Sequence, residues 1–377
     1  MASPDLIQPT DRQALIQRAR QAVLVEKTPT ASPLDPIIER SWRRCLSLGH
    51  QIDTRVSFAA VSKSAAAHTL EANRHLLRAA NPIMEQMAHA MAFTRYFAIL
   101  TDARGVVINT SGPIDRSDAR VTNIARIGVD LSEAAVGTTA IGAALADHQS
   151  VWLHRGEHFF DDTAVYSCAG APLFGPLGQC IGMLDLTGVD VPERPELKHL
   201  VEQSARSIEN ALLLQAPCAL LLRLNWAGRE LNMDTDGLLT LDADGFVTGS
   251  NSVARHLIHM PVTRNAGPTH CSDLFALSWQ MVFDTARLAN GMTIDAPLWS
   301  GLRVKLLAVA SPQSNPTLTK PEKTLRIAES KLIRQTMAQT RGNVTEAARI
   351  LGISRATIYR KLGSPASATN AASTPKR

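Results

Sequence analysis

No stretch of the chain approaches the ~18 consecutive apolar residues that a membrane-crossing helix needs, and the N-terminus lacks the apolar core of a secretory signal. A cytoplasmic protein with no membrane partner is expected. The five cysteines (Cys45, Cys168, Cys180, Cys218 and Cys271) are odd in number, scattered and without a Cys-x-x-Cys pair. That argues against a disulfide framework and against a structural zinc. No Gly-x-x-x-x-Gly-Lys-Ser/Thr occurs anywhere. The segment Gly137-Thr-Thr-Ala-Ile-Gly142 has spaced glycines but no lysine after the second, so nucleotide hydrolysis through a phosphate loop is unsupported. Gly137 is expected instead to cap a turn, with Thr138 opening a helix that carries Ala140, Ile141, Ala144 and Leu145. His154 and His158 stand four apart, but Arg155-Gly156 interrupts any helix between them and no carboxylate or cysteine completes a ligand set. No metal, cofactor or catalytic residue is expected.

What is present is ample core material. Hydrophobic residues make up 45% of 377 positions, enough for two or three domains and too much for a disordered adaptor. Texture changes divide the chain. Residues 1–80 read as a helical region, broken near Pro29 to Pro36 and around Gly49. Residues 81–216 read as helix, then strands over Tyr96 to Leu100 and Val106 to Thr110, short helices, further strands near Val151 to His154, Ala169 to Leu173 and Cys180 to Thr187, and a helix through Leu197 to Leu214. Antiparallel strands with covering helices make this an α+β unit. Residues 217–310 begin strand, Asp-Ala-Asp-Gly turn, strand and Asn-headed helix, and close with a helix in LFALSWQMVFDTARL and a strand in LRVKLLAVA. Residues 311–323 form a Pro-rich linker, and 364–377 lack any apolar period, as a disordered tail would.

The segment 324–363 concentrates charge. It holds eight Lys or Arg against two acids, while the chain as a whole carries only +5, so residues 1–323 are slightly acidic. A basic block on such a body suits phosphate contact. Its pattern supplies the geometry. Ala347, Ala348 and Leu351 share one helix face, Gly352 supplies a stop, and Ser354 can cap a second helix whose Ile358 and Leu362 point back at the first. Thr357, Tyr359 and Arg360 project outward, flanked by Arg355 and Lys361. This is the layout of an all-α helix-turn-helix whose second helix enters a major groove.

The segment TEAARILGISRATIYRKL resembles the helix-turn-helix of the Fis protein and of sigma-54-dependent activators. The resemblance implies double-stranded DNA as partner, with contacts at Asn343, Thr345, Ser354, Arg355, Thr357, Tyr359, Arg360 and Lys361. Tyr359 stands where relatives often carry a basic or polar residue. It also implies a homodimer, paired through a preceding helix with the stripe Ala328, Leu332, Ile333, Thr336 and Met337.

Upstream, LSEAAVGTTAIGAAL (131–145), Glu157-His-Phe159 and YSCAGAPLFGPLGQCIGMLDLTG (166–188) resemble the GAF sensor domain of the acetoin-catabolism activator family, and Ser41-Trp-Arg-Arg-Cys45 resembles the short motif that precedes it. A GAF fold, an antiparallel sheet with helices, usually encloses a small pocket, so a small-molecule effector is implied. Candidate lining residues are Trp152, His154, His158, Phe159, Tyr166 and Cys168, with ordinary core packing as the competing role for the aromatics and the thiol. Residues 217–310 resemble the opening of a PAS domain and suit a second sensor and a ligand-free dimerisation module equally. The ATPase that such activators carry before the Fis-like end is missing. A regulator working by recruitment or occlusion is therefore expected, with RNA polymerase or a related activator as further partners. The alternatives are an ATPase-lacking antagonist of a full-length sigma-54 activator and, from another class, a GAF-based methionine sulfoxide reductase using Cys168 and Cys180.

Overall fold

In a computed structural model of the chain, the described residues are 9–27, 34–260, 268–287, 292–310, 336, 340 and 344–351. Two compact units, Met1–Ser314 and Asn315–Arg377, divide it.

The first unit opens with α1 (Pro9–Arg20), continued by a wider turn over Gln21–Val25, and α2 (Pro36–Ser47). Helix α2 starts where Asp35 accepts a hydrogen bond from the Ile37 N–H and Pro36 takes the first position, where its missing N–H costs nothing. After a non-helical run over 50–62 come α3 (Lys63–Ala72), capped by Ser62, and α4 (Arg74–Met91). This break is longer than the glycine at position 49 alone suggested.

The first sheet contains β1 (Tyr96–Asp102), β2 (Val107–Ser111), β3 (Val151–His154), β4 (Tyr166–Phe174) and β5 (Cys180–Val189), all antiparallel, in the order β2-β1-β5-β4-β3. Three short helices lie between β2 and β3: α5 (Ala119–Ile124), α6 (Glu133–Val136) and α7 (Ala140–Asp147). Helix α8 (Leu197–Gln215) follows β5. The sequence pattern anticipated these strands and α8. It misplaced the start of α7, whose cap is Thr139 rather than Thr138, because the Thr138 hydroxyl is drawn away to Ser41 and Cys45.

Strand alternation sorts the core into two layers. Tyr96, Ala98, Leu100, Trp152, Ala169, Leu184 and Leu186 face α4 and α8. Phe97, Ile99, Val151, Leu153, Cys168 and Met183 face the other way, toward α2, α5, α6 and α7. The second layer is where a cavity opens.

A second sheet follows: β6 (Leu220–Trp226), β7 (Gly237–Leu241), β8 (Val247–Ser250), β9 (Thr293–Pro297) and β10 (Arg303–Ala310), in the order β8-β7-β6-β10-β9. It is covered by α9 (Ser252–Leu257), α10 (Cys271–Leu274) and α11 (Trp279–Arg287). Both sheets have the same layout: a hairpin at one edge, then three more antiparallel strands. In the first sheet the central place belongs to the last strand in sequence, β5; in the second it belongs to the first, β6. The two are circular permutations of one arrangement. Strand β6 was hidden in the sequence because its leucines run on from the leucine-rich end of α8, with only Pro217 marking the change.

Helix α8 serves both sheets. Its N-terminal part packs Leu197, Val201, Ala205 and Ile208 under the first. Near its end, buried Glu209 accepts from the Phe174 N–H (2.9 Å) and the Ser252 hydroxyl (2.7 Å), and Asn210 accepts from Asn251 Nδ2 (2.8 Å). Asn251 also accepts from the Leu238 and Ala254 N–H groups and donates to Asp236 O. Asn251→Ala would remove the cap of α9 and strand several buried polar groups. A loss of about 2–3 kcal/mol is expected, read as a lower urea midpoint; an unchanged midpoint would mean this junction is not a structural tie.

In the second unit, α12 (Val344–Leu351) buries Ala347 and Ala348 and leaves Thr345 exposed.

Candidate functional site

Three segments that the sequence singled out converge on one side of the first sheet. Ser41 donates to Glu133 Oε1 (2.5 Å) and lies 2.8 Å from Thr138 Oγ1; Arg44 grips Glu133 with two nitrogens (2.7 and 2.8 Å) and reaches Asp147 (3.2 Å). The Trp42 indole N–H donates to Glu157 O (2.8 Å), and the Cys45 thiol rests 3.4 Å from Thr138. Arg43, between them, turns outward to Glu39. The Ser41–Cys45 motif is therefore a fastener between α2, the α6–α7 pair and the turn at 155–159. Glycine is required at two points of contact. At Gly137 φ is +68° and a Cβ would meet Phe160 at 2.7 Å; at Gly142 a Cβ would meet Glu133 Cγ at 2.6 Å.

Helix α1 secures the same turn. Buried Arg20 donates to the carbonyls of Gly156 (2.9 Å), His158 (2.6 Å) and Phe159 (3.1 Å) and to Asp161 (2.7 Å). Arg12 meets Glu157 at 2.7 Å. Burial nonetheless outweighs Arg12 and pushes the Glu157 carboxyl up to about 7.

Beneath this layer lies a cavity of about 30 Å³, walled by Phe58, Ile99, Ile124, Leu131, Val136, Thr139, Ala140, Ile141, Thr163 and the group His158, Tyr166, Cys168, Asp185, Thr187. Register explains the last group. Cys168 lies opposite Thr187, Gly170 opposite Asp185, and Ile99 opposite Asp185 on the other side, so these side chains share a face. His158 Nδ1 sits 2.9 Å from Arg155 O, where only an N–H is useful, and its Nε2 lies 3.5 Å from Cys168 Sγ. Burial holds the ring neutral, with its pKa lowered to about 4, and pushes the Cys168 thiol well above its ordinary range. The pair is thiol and imidazole, not thiolate and imidazolium. Asp185, wholly buried, has its carboxyl pushed up to about 7 by burial; Oδ2 is hydrogen-bonded with the Thr187 hydroxyl, and Oδ1 has no partner among the described residues.

Of the sequence candidates, His158, Tyr166 and Cys168 line this cavity. Phe159 is packed edge-on against Phe160 at 5.1 Å and contributes to the surrounding core. Trp152 and His154 lie on the opposite sheet face: their rings stack at 5.5 Å, and Arg12 covers the indole at 4.7 Å. Strand parity explains this, since Leu153 points to the cavity layer and its neighbours cannot. The sequence reading missed Asp185, Thr187 and Phe58. Asp185 and Thr187 were detectable as polar residues at a spacing of two in a strand whose other face is Leu184 and Leu186. Phe58, in a non-helical connector, left no periodic trace. Cys168 and Cys180 are not a pair, because Cys180 lies opposite Phe174 and Cys168 opposite Thr187, seven residues further along β5, roughly 20 Å away.

Thr345 is exposed on α12. Asn343, Ser354, Arg355, Thr357, Tyr359, Arg360 and Lys361 lie outside the described residues, as do the linker, the tail and the stripe residues Ala328, Leu332, Ile333 and Met337. Thr336, the remaining stripe residue, is buried. Among the described residues no helix is long and apolar enough to cross a membrane.

Comparison with known proteins places these pieces. Residues 324–363 match the model of the bacterial regulatory protein Fis family, and residues 8–210 match that of the MimR N-terminal domain. The acetoin catabolism regulatory protein of Cupriavidus necator is 30% identical over 288 residues, 74% of this chain and 41% of that protein. A signal-transduction and transcriptional-control protein of Clostridium beijerinckii is 26% identical over 267 residues, 69% of this chain and 40% of that one. The chain thus spans about two fifths of the length of these curated relatives. Among solved structures, the Escherichia coli DhaR(N)–DhaL complex aligns with a TM-score of 0.44 at 16% identity, covering 74% of this chain and 100% of that one. With a match over residues 8–210 that takes in the fastener motif, the cavity and most of α8, the chain belongs to the family defined by the MimR N-terminal domain, joined here to a Fis-family helix-turn-helix.

Proposed function

We propose that the protein is a sequence-specific DNA-binding transcription regulator, acting as a homodimer, whose DNA binding responds to a small effector held in the first-sheet cavity. The observation that carries the DNA-binding reading is the Fis-family match over 324–363, coinciding with the one strongly basic block of the chain. The second helix of that segment enters the major groove, with Asn343, Thr345, Ser354, Arg355, Thr357, Tyr359, Arg360 and Lys361 meeting phosphates and base edges.

The cavity supports the sensing half. It is small, mostly apolar and lined by few polar groups, as effector sites are. Its walls belong to α5–α7 and to the turn at 155–159, which α1 and α2 grip, and α8 ties the same sheet to the second one. Occupancy would favour one packing of these helices over another and bias the spacing of two recognition helices. Without a phosphate-loop ATPase motif, the chain works by recruitment, by occlusion, or in a mixed complex with a full-length activator.

Arg355→Ala is the direct test of the DNA contact. Loss of a base contact is expected to cost about 1–3 kcal/mol on the specific site only, whereas loss of a phosphate contact weakens all sequences and lowers the salt slope by about one. Titrations of operator and random duplex at two salt concentrations separate the two. Unchanged affinity and slope would remove Arg355 from the interface.

A further inference from the structure

Seven polar side chains line the cavity and nearly close their own hydrogen-bond account. Tyr166 donates to Arg120 O (3.1 Å), Thr163 to Phe160 O (2.8 Å) and Thr139 to Leu131 O (3.5 Å). Cys168 has its proton directed at bare His158 Nε2 (3.5 Å), because Nδ1–H is committed to Arg155 O. Thr187 lies between Cys168 Sγ (3.3 Å) and Asp185 Oδ2. With the Asp185 carboxyl protonated, as burial keeps it below about pH 7, its proton lies on Oδ2 toward Thr187, Thr187 donates to Cys168, and every donor is engaged. One acceptor, Asp185 Oδ1, is left over in a fully buried residue that lines the space.

A buried acceptor without a partner carries an uncompensated desolvation cost, which a ligand supplying one donor there relieves, and a ligand offering only acceptors finds no donor to meet. The walls sharpen the choice. Ile99, Ile124, Leu131, Val136 and Ile141 favour alkyl groups. An ammonium would bring three donors to one acceptor and leave the others buried unpaired, at a cost that an ion pair in such surroundings does not reliably recover. A hydroxyl brings one donor, and its oxygen can still accept. At about 30 Å³, where a single water needs roughly 10–15 Å³ on the same measure, the space suits only a few heavy atoms.

We infer that Asp185 is the anchor of the effector cavity and that its ligand is a small, uncharged, aliphatic hydroxyl compound donating to Asp185 Oδ1. This rests on the reading that the cavity is a ligand site, but its test is independent of DNA. Three probes of four heavy atoms each decide it: 1-propanol, propionitrile (acceptor only) and 1-propylammonium. Their dissociation constants are read by saturation-transfer NMR on the full chain. At about pH 6, where Asp185 is protonated, the expected result is 1-propanol binding about tenfold tighter than propionitrile, an advantage of the size of one hydrogen bond. Asp185→Leu should abolish that preference, and Asp185→Asn, which keeps a side-chain oxygen in place, should retain it. Equal binding of the nitrile, a preference surviving in Asp185→Leu, tighter binding of propylammonium, or no binding of any probe would each overturn the inference. Should the Leu variant fail to fold, the three probes on the parent chain and on Asp185→Asn still decide. DNA binding that continues unaltered in all these cases would show that the anchor assignment failed while the regulator reading stood.

Discussion

Trp42→Ala is expected to lower the stability of the unit built on the first sheet by about 3–5 kcal/mol, as large aromatic truncations in packed cores do. Trp42 has no exposed surface, and it is packed among Ile38, Cys45, Phe159 and their neighbours in the cavity-side core. Its indole also satisfies the carbonyl of Glu157, and the Arg20 guanidinium lies 6.0 Å from its ring. Alanine leaves a cavity, an unpaired carbonyl and a loosened turn at 155–159, whose His158 lines the first-sheet cavity. Trp42→Phe keeps most of the volume and loses the hydrogen bond, so about 1–2 kcal/mol is expected. Urea unfolding followed by circular dichroism measures both. A shift below about 1 kcal/mol for the alanine variant would mean that α2 is not docked on the sheet.

The second large effect is a pH dependence at Asp185. Its folded pKa lies at about 7 against an ordinary 3.8, because burial penalises the charged form. Below about pH 4 the group is protonated in both folded and unfolded chains and contributes nothing. Between about pH 4 and 7 the unfolded chain releases the proton while the folded chain keeps it, so stability falls as pH rises. Above about 7 the loss is constant, on the order of 4 kcal/mol. The groups facing Asp185 do not mask this: Thr187 does not titrate, Cys168 and Tyr166 are pushed upward by burial, and His158 is held neutral down to about 4. Asp185→Asn removes the titration and leaves every other group in place, including Glu157, whose similar rise cancels in the comparison. The variant should therefore gain on the parent between about pH 4 and about pH 7 and keep that gain, without further increase, at higher pH, read as unfolding midpoints. Parallel curves for the two proteins would contradict the burial of a titrating carboxyl there.

How much of this was legible beforehand differs by element. The first sheet was readable because apolar alternation, an Asp-x-x-Gly turn and the motif segments agree, and the strands fall where that pattern put them. Strand β6 was not, since a leucine run carries no period that separates strand from helix. At the cavity, residue type alone chose Trp152 and His154, and strand parity removes both to the far face. Asp185 was passed over because its neighbours are leucines, although a carboxylate amid leucines is the more telling feature. The Ser41–Cys45 motif was recognised by resemblance alone; that it clasps Glu133, Thr138 and Glu157 needed tertiary structure, since its partners lie about ninety to more than a hundred residues away.

Genome-wide DNA occupancy of the tagged full chain, compared with a variant ending at Pro312, tests the regulator reading most directly. Discrete peaks that disappear on truncation are expected, since the variant lacks the whole of 324–363. Peaks that persist in the truncated chain, or none in the full one, would contradict a regulator that reads DNA through its C-terminal helix-turn-helix.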